Sequence, residues 1–315
     1  MGKPSWLDEV VSDAYKLPKD TTALQLFGGL QHEVWKVFTP QKQIVLKKQL
    51  TKPSDTALAL ESAATQENIA SAKLIRTIND NQVLERRGAG YQYFIRAYEY
   101  IDGSVLGRQA VSKELAFTLG ATLADLHIAS QKHLIHTLDS ALLHPLVNYY
   151  PIHELDDETT STLRKFTFNF DITGRQEVIG HRDISGKNII VAKATGQPYL
   201  IDFDEAGLTT IDGEVIDAAF NLAGVHTEEG PVREVVEAFV RGYRDNYPSQ
   251  LHFDELSFHN MLGLSEYFWL GVCLNRIKDG RISESKIEEH EKARLLKQIP
   301  RDVRQVTRWL TWLNS

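Results

Sequence analysis

The sequence contains a single cysteine, Cys273, among its 315 residues. One thiol cannot form an internal disulfide framework, and it cannot supply a cysteine-rich metal site. A basic excess is also lacking, since the formal net charge at pH 7 is −7. Proteins that bind nucleic acid in general show such an excess, so the composition argues against that class of partner.

Long apolar runs and targeting segments are lacking as well. No apolar run approaches the ~18–20 residues that are needed to span a bilayer. The first residues, MGKPSWLDEV, carry neither the apolar core of a secretory signal nor a myristoylation signal. The sequence therefore predicts a cytoplasmic protein without a membrane partner, whereas the oligomeric state does not follow from it.

What is present is a globular composition, 42% hydrophobic and 24% charged, in a chain long enough for two domains. Residues 1–100 are rich in strand patterns with one Ala-rich helical pattern. The strand patterns lie at 23–27, 33–40, 43–50 and 91–103, and the helical pattern lies at 56–78.

Residues 101–315 are mainly helical, apart from one strand pair within 188–203. The helical patterns lie at 112–130, 230–247 and 256–277, followed by a polar C-terminal pair. We therefore predict an α+β fold with a small β-rich N-terminal lobe and a larger helical C-terminal lobe. The hinge would lie near 99–104, and a ligand would bind in the cleft between the lobes.

The C-terminal lobe carries the loop HRDISGKN at 181–188 and, after the strand pair, IDFDEAG at 201–207. Asp183 and Asn188 lie in the loop that leads into the first strand, and Asp202 ends the second. A hairpin of this length brings the loop and Asp202 to one edge, where Asn188 and Asp202 can offer oxygens to Mg²⁺. Asp183 is then left to meet a substrate hydroxyl, which is the division of labour that phosphoryl transfer from a nucleotide requires.

This pattern resembles the catalytic and metal-binding segments of the protein-kinase-like fold. It is most similar to the aminoglycoside phosphotransferase and choline kinase group of small-molecule kinases, over about residues 23–224. The resemblance implies a bilobal fold, ATP or GTP and Mg²⁺ as cofactors, Asp183 as the catalytic residue, and Asn188 and Asp202 as metal ligands. The chain departs from the group at Arg182, where small-molecule kinases often have glycine.

The resemblance also assigns a nucleotide-binding role to the N-terminal lobe. Gly28 and Gly29 would form the short loop that covers the phosphates. On the third strand, alternation places Val45 and Lys47 on the cleft-facing side, so Lys47 would bind phosphate and Lys48 would face solvent. The following helix should supply a glutamate for Lys47, with Glu67 favoured and Glu61 as the alternative.

The hinge YEYIDG at 98–103 resembles the linker whose backbone contacts adenine. By that likeness the Glu99 carbonyl and the Ile101 amide would contact the base, and the ring would lie between Val45, Ile190 and Ile201. Three further residues of the C-terminal lobe are expected to hold its loops in place, without taking part in the reaction: His127, His181 and Asp217.

The acceptor is expected to be a small molecule, because only fourteen residues separate Asp202 from Asp217. That leaves no room for the docking segment of a protein kinase. The acidic stretch HELDDETT at 153–160 could present carboxylates to a cationic acceptor, although the start of a helix is the preferred interpretation, because acidic residues favour the first turn. An aminoglycoside or a related antibiotic is the favoured acceptor. Choline-like amino alcohols, homoserine and sugars are the alternative acceptors. The alternative from a different class is a nucleotide-binding scaffold without transfer. The presence of Asp183, Asn188 and Asp202 argues against it.

Overall fold

The computed structural model describes residues 4–18, 21–26, 32–88, 90–107, 109–134, 155–167, 174–271 and 285–314. The chain forms two compact units. The first comprises Met1–Val105 and Ile189–Glu205, and the second comprises Leu106–Asn188 and Ala206–Ser315. The division thus falls after Val105 and not after residue 100, and the strand pair predicted for the C-terminal lobe belongs to the first unit. Among the residues described, no helix combines the length and the apolarity needed to cross a membrane.

The predicted mixture of helices and strands is confirmed. The described strands are β1 (Thr22–Leu26), β2 (Glu33–Phe38), β3 (Gln43–Gln49), β4 (Leu74–Ile75), β5 (Leu84–Gly88), β6 (Tyr91–Glu99), β7 (Gly103–Val105), β8 (Glu177–Gly180), β9 (Ile189–Ala192), β10 (Pro198–Leu200) and β11 (Gly207–Thr210). The described α-helices are α1 (Ser5–Glu9), α2 (Asp55–Gln66), α3 (Lys113–Leu134), α4 (Asp157–Thr167), α5 (Ile211–Leu222), α6 (Arg233–Asn246) and α7 (Ser285–Leu313).

The first unit is built on an antiparallel sheet in the order β1-β2-β3-β6-β4, with β5 also paired to β6. Ile44 and Leu46 of β3 are fully buried, as strand alternation predicts. They pack against Leu7, Val10 and Val11, because α1 and the π-helical turn that follows it cover this face. Each fully buried aliphatic side chain contributes about 1.5–3 kcal/mol, so this segment is part of the core.

The same cover explains the position of Lys48, which the sequence predicted to face solvent. Lys48 does lie on the face opposite Lys47, but its side chain is only 7% exposed. Its Nζ pairs with Glu33 at 2.7 Å and lies 5.3 Å from the centre of the Trp6 ring. Lys48 is therefore a buried structural cation, and the solvent-facing prediction was wrong.

Helix α2 is shorter than the predicted span of 56–78. It begins at a proper N-cap, since the Ser54 side chain accepts a hydrogen bond from the Ala57 amide at 3.0 Å. It ends at Gln66, and Asn68 then takes a left-handed conformation with φ of 56°. Asparagine tolerates that conformation better than most residues, so it can terminate a helix whose apolar pattern continues. Glu67 is consequently the exposed C-cap residue.

The small sheet β10-β9-β7 completes the first unit. The β9–β10 hairpin is the strand pair that the sequence predicted, and β7 begins within the predicted hinge at 99–104. In the second unit the predicted helix at 256–277 differs in type. It starts as a 3₁₀ turn at Glu255–Phe258 and continues as a π-helix at His259–Phe268. The predicted C-terminal pair of helices is one helix, α7, with Pro300 inside it.

A buried carboxylate, Glu214 of α5, connects three elements of the second unit. Its Oε1 accepts a hydrogen bond from the Arg182 amide at 2.8 Å, and its Oε2 lies 3.0 Å from His127 Nε2 of α3. The other His127 ring nitrogen lies 2.7 Å from the Tyr243 hydroxyl of α6. The carboxylate rests on Gly180, where a Cβ would overlap it. Glu214 therefore fixes the start of the 181–188 loop against three elements of the core.

We expect the Glu214→Ala variant to lose about 3 kcal/mol of unfolding free energy, because two buried donors lose their shared acceptor. Urea denaturation measures this loss, with Glu228→Ala in an exposed turn as the control. A loss below about 1 kcal/mol would contradict the role given to Glu214.

The charge of Glu214 also predicts a pH dependence. Burial opposes ionisation, but the hydrogen bond from His127 holds the pKa of Glu214 below its ordinary value of 4.5. A carboxylate whose pKa is lowered by folding stabilises the protein above the unfolded-state pKa and loses this effect as the pH falls. The stability gap between the parent and Glu214→Gln should therefore be widest near neutral pH and should narrow below about pH 4.5.

Candidate functional site

The candidate residues divide between the two units, and Gly28 and Gly29 lie outside the described residues. In the first unit, Lys47 is nearly buried on the face of β3 that sequence alternation predicted. Its Nζ lies 2.6 Å from Asp202 Oδ1 and 2.7 Å from Asp204 Oδ2. Strand β3 thus brings the predicted phosphate lysine to the predicted metal-binding aspartate, and a second aspartate joins them.

Asp204 was not predicted, yet it has the most partners in this group. Arg96 Nη2 donates to Oδ1, while Lys47 Nζ and His32 Nε2 both lie near Oδ2, at 2.7 Å and 3.2 Å. Burial alone would raise the pKa of Asp204. The hydrogen bond from His32 and the charges of Arg96 and Lys47 outweigh burial and hold the pKa far below its usual range. Asp204 is therefore a carboxylate that stays ionised.

The glutamate of α2 that joins the charged residues around Asp204 is Glu61. The structure therefore favours Glu61 over Glu67 as the helix glutamate of this site. Glu61 lies on the buried face of α2, whereas Glu67 caps the helix in an exposed position. Glu61 Oε1 accepts hydrogen bonds from Arg96 at 3.3 Å and from the Tyr98 hydroxyl at 2.8 Å. Burial raises the pKa of Glu61, and the charge of Arg96 opposes that rise only in part. The expected direct pairing between a helix glutamate and Lys47 is replaced by an arginine that contacts two carboxylates.

The residues predicted to surround the nucleotide base all belong to the first unit. Val45, Ile190 and Ile201 are each partly exposed, in contrast to the fully buried Ile189 beside them. Glu99 is the last residue of β6, and its amide donates to the Lys73 carbonyl at 2.9 Å. Ile101 lies in the short connection between β6 and β7. The positions are compatible with the assigned contacts, which remain predictions.

In the second unit the 181–188 loop holds Asp183 in a defined orientation. The Asn188 side-chain amide donates both to the Asp183 carboxylate at 2.8 Å and to its carbonyl at 2.9 Å. Lys187 Nζ lies 3.0 Å from the same carboxylate, which is 30% exposed. Arg182, next to Asp183, has a left-handed φ of 64°. Asp183 is thus fixed on one side by its own loop and reachable from the other.

The predicted metal ligands fit a hard divalent cation by their chemistry. Asn188 donates through Nδ2, which leaves Oδ1 to act as a ligand. Asp202 uses Oδ1 towards Lys47, which leaves Oδ2. In the part of the chain that the structure describes, no group of three or more His, Cys, Asp or Glu side chains is arranged to hold a metal. One amide and one carboxylate suit Mg²⁺, which keeps several waters and shares the phosphate oxygens of its nucleotide.

The residues expected to hold the loops are found in the core. His127 and His181 are both fully buried. Asp217 is buried too, but it lies in the middle of α5 and does not open that helix, and its Oδ1 accepts a hydrogen bond from Asn221 at 3.2 Å. The sequence analysis did not predict Glu214, the carboxylate that accepts a hydrogen bond from the start of the 181–188 loop.

Two sequence signals could have identified the missed residues. Glu214 and Asp217 are acidic residues among the apolar residues of EVIDAAF, and Arg96 interrupts the apolar strand YFIRAY. Charged side chains at such positions are almost never fully buried unless they are paired. Each therefore predicts a buried partner of opposite charge, although the sequence does not say which one.

Comparison with known proteins agrees with this geometry. The model of the phosphotransferase enzyme family APH matches residues 23–253. No curated protein sequence matches the chain at a significant level.

Among solved structures, an amicoumacin kinase in complex with AMP-PNP, Ca²⁺ and its ligand is 16% identical, with a TM-score of 0.67 over 96% of this chain and 94% of that one. A spectinomycin phosphotransferase in complex with ADP and spectinomycin is 14% identical, with a TM-score of 0.68 over 96% and 99%. A microcompartment-associated aminopropanol kinase is 14% identical, with a TM-score of 0.63 over 98% and 97%.

At these identities the likenesses show the fold, which is the kinase-like fold predicted from the sequence. The family match covers well over half of the chain and includes both the 181–188 loop and the segment of Asp202. The chain therefore belongs to the APH phosphotransferase enzyme family, and it is a phosphotransferase.

Proposed function

We propose that this phosphotransferase transfers the γ-phosphoryl group of ATP to a hydroxyl of a small, amino-containing acceptor. An aminoglycoside or a related antibiotic is the favoured acceptor class, which would make the protein a resistance enzyme. The observation that carries the proposal is the Asp183 carboxylate, held by Asn188 and Lys187 and still partly exposed. A positioned carboxylate of this kind can orient a hydroxyl and accept its proton.

The nucleotide would be held mainly by residues of the first unit. Lys47 would contact the phosphates, and Glu99 and Ile101 would contact the adenine through their backbone. The ring would lie against Val45, Ile190 and Ile201, and the loop with Gly28 and Gly29 would cover the phosphates. ATP is the favoured donor, with GTP as the alternative. The AMP-PNP and ADP bound to the solved relatives support a nucleotide donor.

Asn188 and Asp202 would hold Mg²⁺ on the nucleotide through their remaining side-chain oxygens. When bound, the ion would neutralise charge on the phosphate oxygens. The transition state of phosphoryl transfer is loose, so little proton abstraction is needed early in the reaction. Asp183 would therefore chiefly orient the acceptor hydroxyl and take its proton late. Lys187 would add positive charge near the transferred group.

Small amino alcohols are the second candidate acceptor class. The similarity to the aminopropanol kinase supports them, because that structure aligns over nearly the whole length of both chains. An amino alcohol and an aminoglycoside share the chemistry of a hydroxyl beside an ammonium group. A nucleotide-binding scaffold without transfer is disfavoured, because Asp183, Asn188 and Asp202 are all present.

A phosphorylation screen tests the proposal directly. Candidate acceptors are aminoglycosides, other amino-containing antibiotics, choline, aminopropanol and amino sugars, each incubated with Mg·ATP and analysed for a phosphorylated product. For the acceptor found, Asp183→Asn should lower kcat by roughly 10²–10⁴, because it keeps the shape but removes the base and the charge. Nucleotide affinity should stay nearly unchanged. Transfer at the parent rate by Asp183→Asn would overturn the catalytic role of this residue.

The two neighbouring lysines of β3 make a matched pair of variants. Lys47→Met should weaken the binding of Mg·ADP strongly, because it removes the phosphate contact. Lys48→Met should leave that affinity nearly unchanged and instead lower the unfolding free energy by about 1–2 kcal/mol, since Lys48 contacts aromatic rings and Glu33. Calorimetric titration and thermal denaturation measure the two effects. Equal losses of affinity in both variants would contradict the assignment of Lys47.

A further inference from the structure

Asp204 is the carboxylate on which the charged groups of the first unit converge. Arg96, Lys47 and His32 each donate to it, and together they use both of its oxygens. Its side chain is 19% exposed, whereas the adjacent Glu205 is exposed. Three charged or polar donors fix the orientation of the Asp204 carboxylate, and the carboxylate in turn fixes the positions of these three side chains.

The other carboxylate that contacts Lys47 has a second role. Asp202 lies 2.6 Å from Lys47 Nζ, and in the proposed function it is also a metal ligand. A divalent ion at Asp202 Oδ2 would draw on the charge of the same carboxylate and so weaken its attraction for Lys47 at Oδ1. The proposed function assigns no metal to Asp204, so its contact with Lys47 would not compete with metal binding.

The helix glutamate is engaged elsewhere. Glu61 Oε1 accepts from Arg96 and Tyr98, and Oε2 has no hydrogen-bonding partner among the residues that the structure describes. Arg96 is directly opposite Lys47 in the antiparallel β3–β6 register, and its side chain is 1% exposed. It contacts Glu61 with one guanidinium nitrogen and Asp204 with the other. Among the hydrogen bonds that the structure describes, none joins Glu61 to Lys47, so the direct link between them is the attraction of their charges, and the hydrogen-bonded link runs through Arg96 and Asp204.

We propose that Asp204 is the residue that positions Lys47 for the nucleotide phosphates, and that Arg96 holds Asp204 in place. Glu61 serves mainly to anchor Arg96, and it makes no hydrogen bond to the lysine among the described residues. This inference rests on the proposed function of Lys47 as the phosphate-binding residue. The contact to Lys47 that the sequence predicted from a glutamate of helix α2 would thus come from the segment after β10.

A double-mutant cycle on nucleotide affinity tests the inference. The variants are Lys47→Met, Asp204→Asn and their combination, and the dissociation constants of Mg·ADP and Mg·AMP-PNP are measured by calorimetric titration. Asp204→Asn should weaken binding about tenfold in the parent, because coupled neighbours interact at this scale. In the Lys47→Met background the same substitution should change the affinity less than about twofold. A residue that served the fold alone would show no such dependence on Lys47.

Two single variants complete the experiment. Glu205→Gln changes the neighbouring exposed carboxylate and should leave the affinity unchanged. Glu61→Gln should weaken binding less than about threefold, since the amide oxygen can still accept from Arg96. A tenfold loss in Glu61→Gln would overturn the inference even if Asp204→Asn failed to fold, because it would show that the helix carboxylate holds the lysine.

The outcomes separate this inference from the proposed function. Equal losses for Asp204→Asn with and without Lys47 would overturn the inference alone, because Asp204 would then act on the metal or the fold independently. A Lys47→Met variant that binds both nucleotides like the parent would overturn the nucleotide role of Lys47 and the inference together.

Discussion

The buried guanidinium of Arg96 is the constraint on which the first unit depends. An arginine inside a protein must be surrounded by acceptors, because an isolated buried charge costs far more than a single hydrogen bond returns. Arg96 meets most of this requirement with Glu61, Gln49 and Asp204, and only its Nε has no hydrogen-bond partner among the described residues. These acceptors come from a helix, a strand and the segment after β10, so one side chain joins the elements that would hold the nucleotide.

The backbone conformations on either side of the chemistry follow a related logic. Arg182 and Asp202 both have left-handed φ values, 64° and 65°, at positions where neither is glycine. Such a conformation costs about 1–2 kcal/mol. Each residue has a compensating contact, since the Arg182 amide donates to Glu214 and the Asp202 carboxylate accepts from Lys47. Each conformation makes a sharp turn in the chain, at Asp202 itself and directly before Asp183.

Much of the fold and part of the site could be predicted from the sequence because they depend on local spacing. The period of β3 separates Lys47 from Lys48, and the motif HRDISGKN places Asp183 and Asn188 in one loop. The failures came where a distant segment or a single backbone conformation decides the outcome. Lys48 is buried because α1 covers its face of the sheet, and helix α2 stops early because Asn68 takes a left-handed conformation.

The choice between Glu61 and Glu67 failed for the same reason. Both glutamates have a plausible spacing, but α2 ends at Gln66 and leaves Glu67 exposed, whereas the buried Glu61 contacts Arg96, 35 residues away. Glu214 and Asp204 were missed because a single sequence does not indicate which buried acid serves which loop. Pairing across the fold is a property of three-dimensional contacts, and strand or helix periodicity carries no information about it.

Exposure separates the carboxylates that hold the structure from those that would take part in the reaction. The side chains of Glu61 and Glu214 are each 2% exposed and receive their donors from the protein. Asp183 and Asp202 are 30% and 38% exposed, and each is held by a lysine or an amide on one side only. A carboxylate that orients a substrate or binds a metal must keep free oxygen surface, whereas one that positions a loop must not. The environment of each acid agrees with its proposed role, and this difference in exposure supports the proposed division of roles more strongly than residue type alone.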